Sequence, residues 1–241
     1  MIFNKLSFPQ DRKSWLILVI AGILNNAIPF YLISWGQQYI SGSTAAIMLS
    51  FGPFVALILS HFTTHDEKFS IFKLLSVVLG FIGVFILLGG DIISKNSDAL
   101  VGQLAVLLAT IGYITSGLLI RKLGDINTIV CSTSMLLTGA IVMIPFVSIK
   151  ELLDIQIIST AGYSVIYLAL LPTALASLVR VKLVQKVGIQ FMSQVAYLIP
   201  IFAIFWSWVF LSEIPKLTAL IALSLIIIGL FIRKFPYKRD T

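Results

Sequence analysis

Two adjacent amides, Asn25 and Asn26, stand midway along the apolar run SWLILVIAGILNNAIPFYLISW. In hydrocarbon a polar group without a partner costs on the order of several kcal/mol, so such amides either hold helices together or line a path for a polar solute. Neighbouring helical residues point about 100° apart, so one amide is expected to face a cavity and the other an adjacent helix. Gln194 and Tyr197, three apart and on one helix face, form a second candidate pair beside the carbonyl that Pro200 would free. Ser50, Tyr113, Tyr167 and Thr173 add polar groups at mid-span depth. Together these residues can recognise a solute through hydrogen bonds. For a single serine or threonine, the competing structural reading is a hydroxyl bonded back to its own helix.

The charged residues exclude other chemistries. All ten carboxylates fall in loops or at the ends of apolar runs. A proton-coupled exporter of cations relies on a carboxylate buried in the membrane, so the expected cargo is a neutral or zwitterionic metabolite, such as an amino acid. His61 and His65 are four apart and precede Asp66 and Glu67, a spacing that can hold a metal. No cysteine or HExxH context accompanies them, so neither a metal nor a cofactor is expected. There is no Walker A sequence for ATP hydrolysis, and an integral-membrane enzyme lacks its acid, base and nucleophile here. The lone Cys131 excludes an intramolecular disulfide.

The elements that position these residues are membrane helices. Of the 241 residues 59% are hydrophobic and 11% charged, against about a quarter charged in soluble domains. Continuous apolar runs of about 20 residues place spans at 15–36, 43–62, 71–90, 102–120, 127–149, 161–180, 190–211 and 216–233. The predicted fold class is therefore an all-α integral membrane protein of about eight helices. With both termini cytoplasmic, Lys5, Arg12, Lys13, Lys68, Lys73, Arg121, Lys122, Arg180, Lys182, Lys186, Arg233, Lys234, Lys238 and Arg239 lie inside. Lys95, Lys150 and Lys216 alone then lie outside, the bias that sets membrane orientation. The net charge of +7 thus reflects topology and attraction to anionic lipid, and no nucleic-acid partner is expected.

The spans also repeat. Pro53 to Glu67 mirrors Pro200 to Glu213, and both glutamates precede a glycine, Gly83 and Gly229, by sixteen residues. Pro29 in NNAIPFYLISWGQQYISG pairs with Pro172 in ALLPTALASLVRVKLVQKVG. Spans one to three correspond to six to eight, a displacement of five, so the copies cross the membrane in opposite directions. The four prolines are expected to kink their helices and free the carbonyls of Asn25, Leu49, Leu168 and Ala196.

This pattern, with STAAIMLSFGPFVALIL, KLLSVVLGFIGVFILLG and VGIQFMSQVAYLIPIFAIFWSWVFLSEIP, resembles the EamA-like family of the drug/metabolite transporter superfamily. The resemblance implies an inverted-repeat transporter fold of two five-helix units, of which this chain shows three plus five. It would lack the first two of ten helices. The expected organisation is a cytoplasmic segment 1–14, an incomplete first repeat 15–98, a second repeat 99–233 and a basic cytoplasmic tail 234–241. The implied function is transmembrane transport of a small metabolite, in the direction of export, by alternating access in a bacterial inner membrane. The implied partners are the lipid bilayer and a small-molecule substrate, with a homo-oligomer or a missing-helix partner open. A truncated, non-transporting remnant or assembly partner is the alternative.

Overall fold

The apolar runs become helices because their backbone groups have no other partner in hydrocarbon. A computed structural model of the protein describes residues 8–63, 71–93, 97–124, 126–147, 158–193, 195, 198–212 and 214–233. Helix α1 (Arg12–Gly22) runs through a π segment, Ile23–Ala27, into α2 (Ile28–Gly36). Next come α3 (Gly42–Leu49), α4 (Gly52–Thr63), α5 (Ile71–Ile93), α6 (Ser97–Lys122) and α7 (Thr128–Met143), which ends in a 3-10 turn. Helix α8 (Thr160–Leu168) leads through a second π segment, Ala169–Leu175, into α9 (Ala176–Ser193). Helices α10 (Leu198–Leu211) and α11 (Leu217–Arg233) follow.

Five stretches are long and apolar enough to cross a membrane: Arg12–Gly36, Gly42–Leu59, Ser97–Lys122, Thr128–Phe146 and Thr160–Gly188. Shorter apolar helices cover Leu74–Ile86 and Leu217–Gly229. The expected sixth span, 161–180, is longer in the structure, and residues 190–193 of the expected seventh belong to the same helical stretch as α9. Gly188, at φ 83°, is the break between them, a conformation that side chains other than hydrogen oppose.

The prolines are accommodated in two ways, one for each repeated pair. Pro53 and Pro200 sit in the first turns of α4 and α10, where a missing N–H removes no helical hydrogen bond. Helix α3 ends at Leu49, so Pro53 begins a new helix rather than bending a continuous one. Pro29 and Pro172 instead lie in continuous helices, next to and within the two π segments. In an i+5 register the residue facing the Leu168 carbonyl is Thr173, which has an N–H, rather than Pro172, which does not.

The helices cluster into two compact units, each discontinuous in sequence. One comprises Met1–Ile28 and Ser116–Met192, the other Pro29–Thr115 and Ser193–Thr241. In the first, α1 lies against α7 at backbone distance: a Cβ on Gly22 would stand 2.8 Å from the Met135 carbonyl oxygen. Leu18, Cys131, Met135 and Val184 are fully buried there. The loop before α7 is tied to α9 by Gln185, whose Nε2 donates to the Ile126 carbonyl at 2.8 Å.

In the second unit α5 and α11 pack along their lengths, with Phe54 wedged against Gly80. A Cβ on Gly83 would meet the Ala222 carbonyl at 3.0 Å, and one on Gly229 would meet the Ser76 carbonyl at 3.0 Å. Gly83 and Gly229 are repeat equivalents, and so are Ser76 and Ala222, each seven residues before its glycine. Such an exchange of contacts is what a pseudo-two-fold axis between α5 and α11 requires.

Candidate functional site

Asn25 and Asn26 occupy the first π segment and are each 5% exposed. Asn25 Nδ2 donates to Asn26 Oδ1 at 2.9 Å, and Asn26 Nδ2 donates to the Met135 carbonyl of α7 at 2.9 Å. Asn26 is seated there because α7 offers a glycine: a Cβ on Gly139 would lie 2.6 Å from Asn26 Cβ. Beside the pair, Ser116 Oγ donates to the Ala21 carbonyl at 2.8 Å, and Ser132 Oγ donates to Ser177 Oγ at 2.9 Å.

One side-chain atom in this chain of bonds has no partner, the buried Asn25 Oδ1. The backbone adds an acceptor around the same turn. The Ile28 N–H, which would serve the Leu24 carbonyl in an α-helix, donates to Ile23 instead. In that i+5 register the Leu24 carbonyl faces Pro29, which has no N–H. Asn25 Oδ1, with the Leu24 carbonyl beside it, thus suits a ligand with donors, such as an ammonium, a hydroxyl or water. π segments of this kind recur at functional sites in helices.

The other polar residues singled out by the sequence are distributed differently. Ser50 is buried and its Oγ donates to the Ile47 carbonyl at 2.6 Å, the bond back to its own helix. Tyr113 and Thr173 are half-buried, while Tyr167 is exposed and lines a shallow open groove with Thr160, Tyr163, Ser164 and Leu168. Asn25, Asn26, Tyr167 and Thr173 belong to the first unit, Ser50 and Tyr113 to the second. Gln194, Tyr197, Glu67 and Glu213 lie outside the described residues, as does His65. Among the described residues, no group of three His, Cys, Asp or Glu side chains gathers to hold a metal.

Asp11 caps α1 by accepting from the Ser14 N–H at 2.8 Å, and that bond holds its carboxyl below the usual carboxylate value. Arg121 and Lys122 lie in the last turn of α6, where they complement the helix dipole. The π register is the feature of the site that sequence reasoning missed. Its only sequence signal is a mid-span proline, which also fits a simple kink.

Comparison with known proteins gives this arrangement its family. The EamA-like transporter family model matches residues 1–89 and 100–233. The uncharacterized transporter YoaV of Bacillus subtilis is 23% identical over 98% of this chain and 80% of its own length. A second uncharacterized transporter of that organism, YdfC, is 26% identical over 91% of this chain and 71% of its own length. A solved crystal structure, 17% identical, aligns with a TM-score of 0.67 over 96% of this chain and 78% of that one, and so shares the fold. The chain belongs to the EamA-like transporter family, multi-pass membrane proteins that carry small solutes through the lipid bilayer.

Proposed function

We propose that the protein exports a small neutral or zwitterionic metabolite, an amino acid or a solute of similar size, by alternating access. The observation that carries this reading is the buried, unpartnered Asn25 Oδ1 in a π segment at mid-span. Leaving such an acceptor empty costs about 1–3 kcal/mol, a cost that a donor on the solute would offset during transport. An unpartnered amide oxygen suits an α-ammonium or hydroxyl. It offers no exchangeable proton for driving a permanently cationic drug.

In this reading Asn26 is the positioning residue and Asn25 the contact. Asn26 donates to α7 and accepts from Asn25, which orients the free oxygen. Ser50, Tyr113, Tyr167, Thr173, Gln194 and Tyr197 remain proposed pathway residues. The distribution of Lys and Arg supports an orientation with both termini in the cytoplasm of a bacterial inner membrane.

Counterflow in proteoliposomes tests this directly. Vesicles preloaded with single unlabelled amino acids are exposed to a trace of the labelled one outside. Accumulation is expected for at least one neutral amino acid and not for a quaternary ammonium dye. Accumulation of the dye alone would sink the cargo assignment.

A further inference from the structure

Helix α3 begins with a turn of hydrogen-bond donors. A helix start leaves the N–H groups of its first turn without helical carbonyls, here those of Gly42, Ser43 and Thr44 after the N-cap Ser41. Ser41 Oγ accepts from the Thr44 N–H at 3.2 Å, and the Ser41 carbonyl accepts from the Ala45 N–H at 3.0 Å. Gly42 and Ser43 are left to present their N–H groups at the open end of the helix.

The Ser43 side chain adds to them. It is 3% exposed, and its Oγ has no hydrogen-bond partner. Ser50 and Thr110, buried like it, bond back to the carbonyls of Ile47 and Val106 on their own helices. Ser43 lacks that outlet, because Ile40 and Tyr39, three and four residues before it, lie in the turn ahead of α3. In an α-helix the Cα–Cβ bond tilts toward the N-terminus, so this hydroxyl sits beside the open N–H groups. Helix α10 packs on α3 and brings a second hydroxyl: Ser207 is 6% exposed, and a Cβ on Gly42 would stand 3.6 Å from its Oγ. The first turn of α3 holds no Asp or Glu of its own.

Donors gathered at the positive end of a helix dipole suit an anion with oxygen lone pairs. We infer that the start of α3 is a carboxylate-binding site, formed by the N–H groups of Gly42 and Ser43 and the hydroxyls of Ser43 and Ser207. This rests on the zwitterionic cargo proposed above and supplies its other half: Asn25 Oδ1 takes the ammonium, and α3 takes the carboxylate. Asn25 belongs to the first unit and α3 to the second, and each contact is needed only at some step of the cycle. In the proposed orientation α3 starts at the outer face, where an exported solute leaves.

The test reads binding and transport separately on the full chain, with L-leucine and L-threonine, each compared with its carboxamide. The carboxamide keeps the ammonium and loses the carboxylate. Binding is followed in detergent by the rise in melting temperature with ligand, and transport by counterflow in proteoliposomes. Wild type should bind an amino acid about tenfold or more tighter than its carboxamide. Ser43→Ala, which removes one oxygen from a packed side chain, should cut amino-acid affinity about tenfold and leave the carboxamide unchanged, as expected for a lost hydrogen bond to a charged group. Ser207→Ala should shift the preference in the same direction. Ser224→Ala, whose hydroxyl bonds back to the Leu220 carbonyl, should leave it unaltered. No carboxylate preference in wild type, a preference that survives in both Ser43→Ala and Ser207→Ala, or equal losses for amino acid and carboxamide would overturn the site. Carboxylate-selective binding without counterflow would leave the site standing and sink the transport reading, and counterflow with an unaltered preference would do the reverse.

Discussion

The span Arg12–Gly36 and the span Thr160–Gly188 each carry a proline and a π segment in the same place in the repeat, yet they live in different surroundings. In the first, 39% of the apolar window is buried within the protein; in the second, 11% is. The residue types follow the surroundings. Where α7 presses on α1, the chain has Gly22, Asn25 and Asn26, which allow close approach and bond across. At the equivalent positions of α8 and the π segment after it, the chain has Val165, Leu168 and Ala169. The shared backbone device is thus set by proline and by topology, while the polar site is set by the neighbour that completes it. A mid-membrane amide is kept where a second helix can orient it.

Exchanging residues between the two spans should break this contrast. Gly22→Val gives α1 the residue of its counterpart, with Cβ driven to 2.8 Å from the Met135 carbonyl. A loss of about 1–3 kcal/mol is expected, visible as a lower melting temperature in detergent. Val165→Gly on α8 should move the melting temperature far less, and equal shifts would contradict the difference in packing.

Asn26→Leu comes next. It removes the bond to Met135 and strands the Asn25 amide, at a cost of about 1 kcal/mol, in the range measured for hydrogen bonds between membrane helices. Ala169→Asn, the reverse change on the exposed span, should be close to neutral by the same melting assay.

The smallest contrast lies at the helix starts. Asp11 caps α1 and Ser159 caps α8, each accepting a backbone N–H three residues on. The folded-state pKa of Asp11 is lowered, so its contribution is fully present above the ordinary carboxylate value of 3.8 and is lost as pH falls through the lowered one. Helix protection at α1 should weaken over that acid window in hydrogen exchange, and Asp11→Asn should abolish the pH dependence. The start of α8, capped by a neutral hydroxyl, should show none.

Much of this was legible in the sequence because membrane helices advertise themselves by length and charge. Apolar runs placed the five stretches long enough to cross a membrane, and proline and glycine spacing exposed the repeat that the contacts of Gly83 and Gly229 reflect. Asn25 and Asn26 stood out because polar groups are costly at mid-span. Their roles were not legible, since the partner of Asn26 lies 109 residues away on another helix. The π register was hidden for a similar reason: a mid-span proline signals a disturbance, but the backbone can absorb it by kinking, breaking or shifting register. The chain does two of these, breaking at Pro53 and shifting register at Pro172. The nakedness of α8 was hidden too, because lipid-facing and helix-facing apolar residues look alike in a sequence.

The most direct test of the account is transport by Asn25→Leu. Leucine is nearly isosteric with asparagine and removes the unpartnered acceptor while leaving Asn26 bonded to α7. In counterflow with the amino acid that wild type carries, the variant should lose transport at least about tenfold, the factor that 1.4 kcal/mol of lost solute binding gives, while its melting temperature holds within a few degrees. Wild-type transport in a variant that lacks this oxygen would contradict the assignment of the π segment as the solute site.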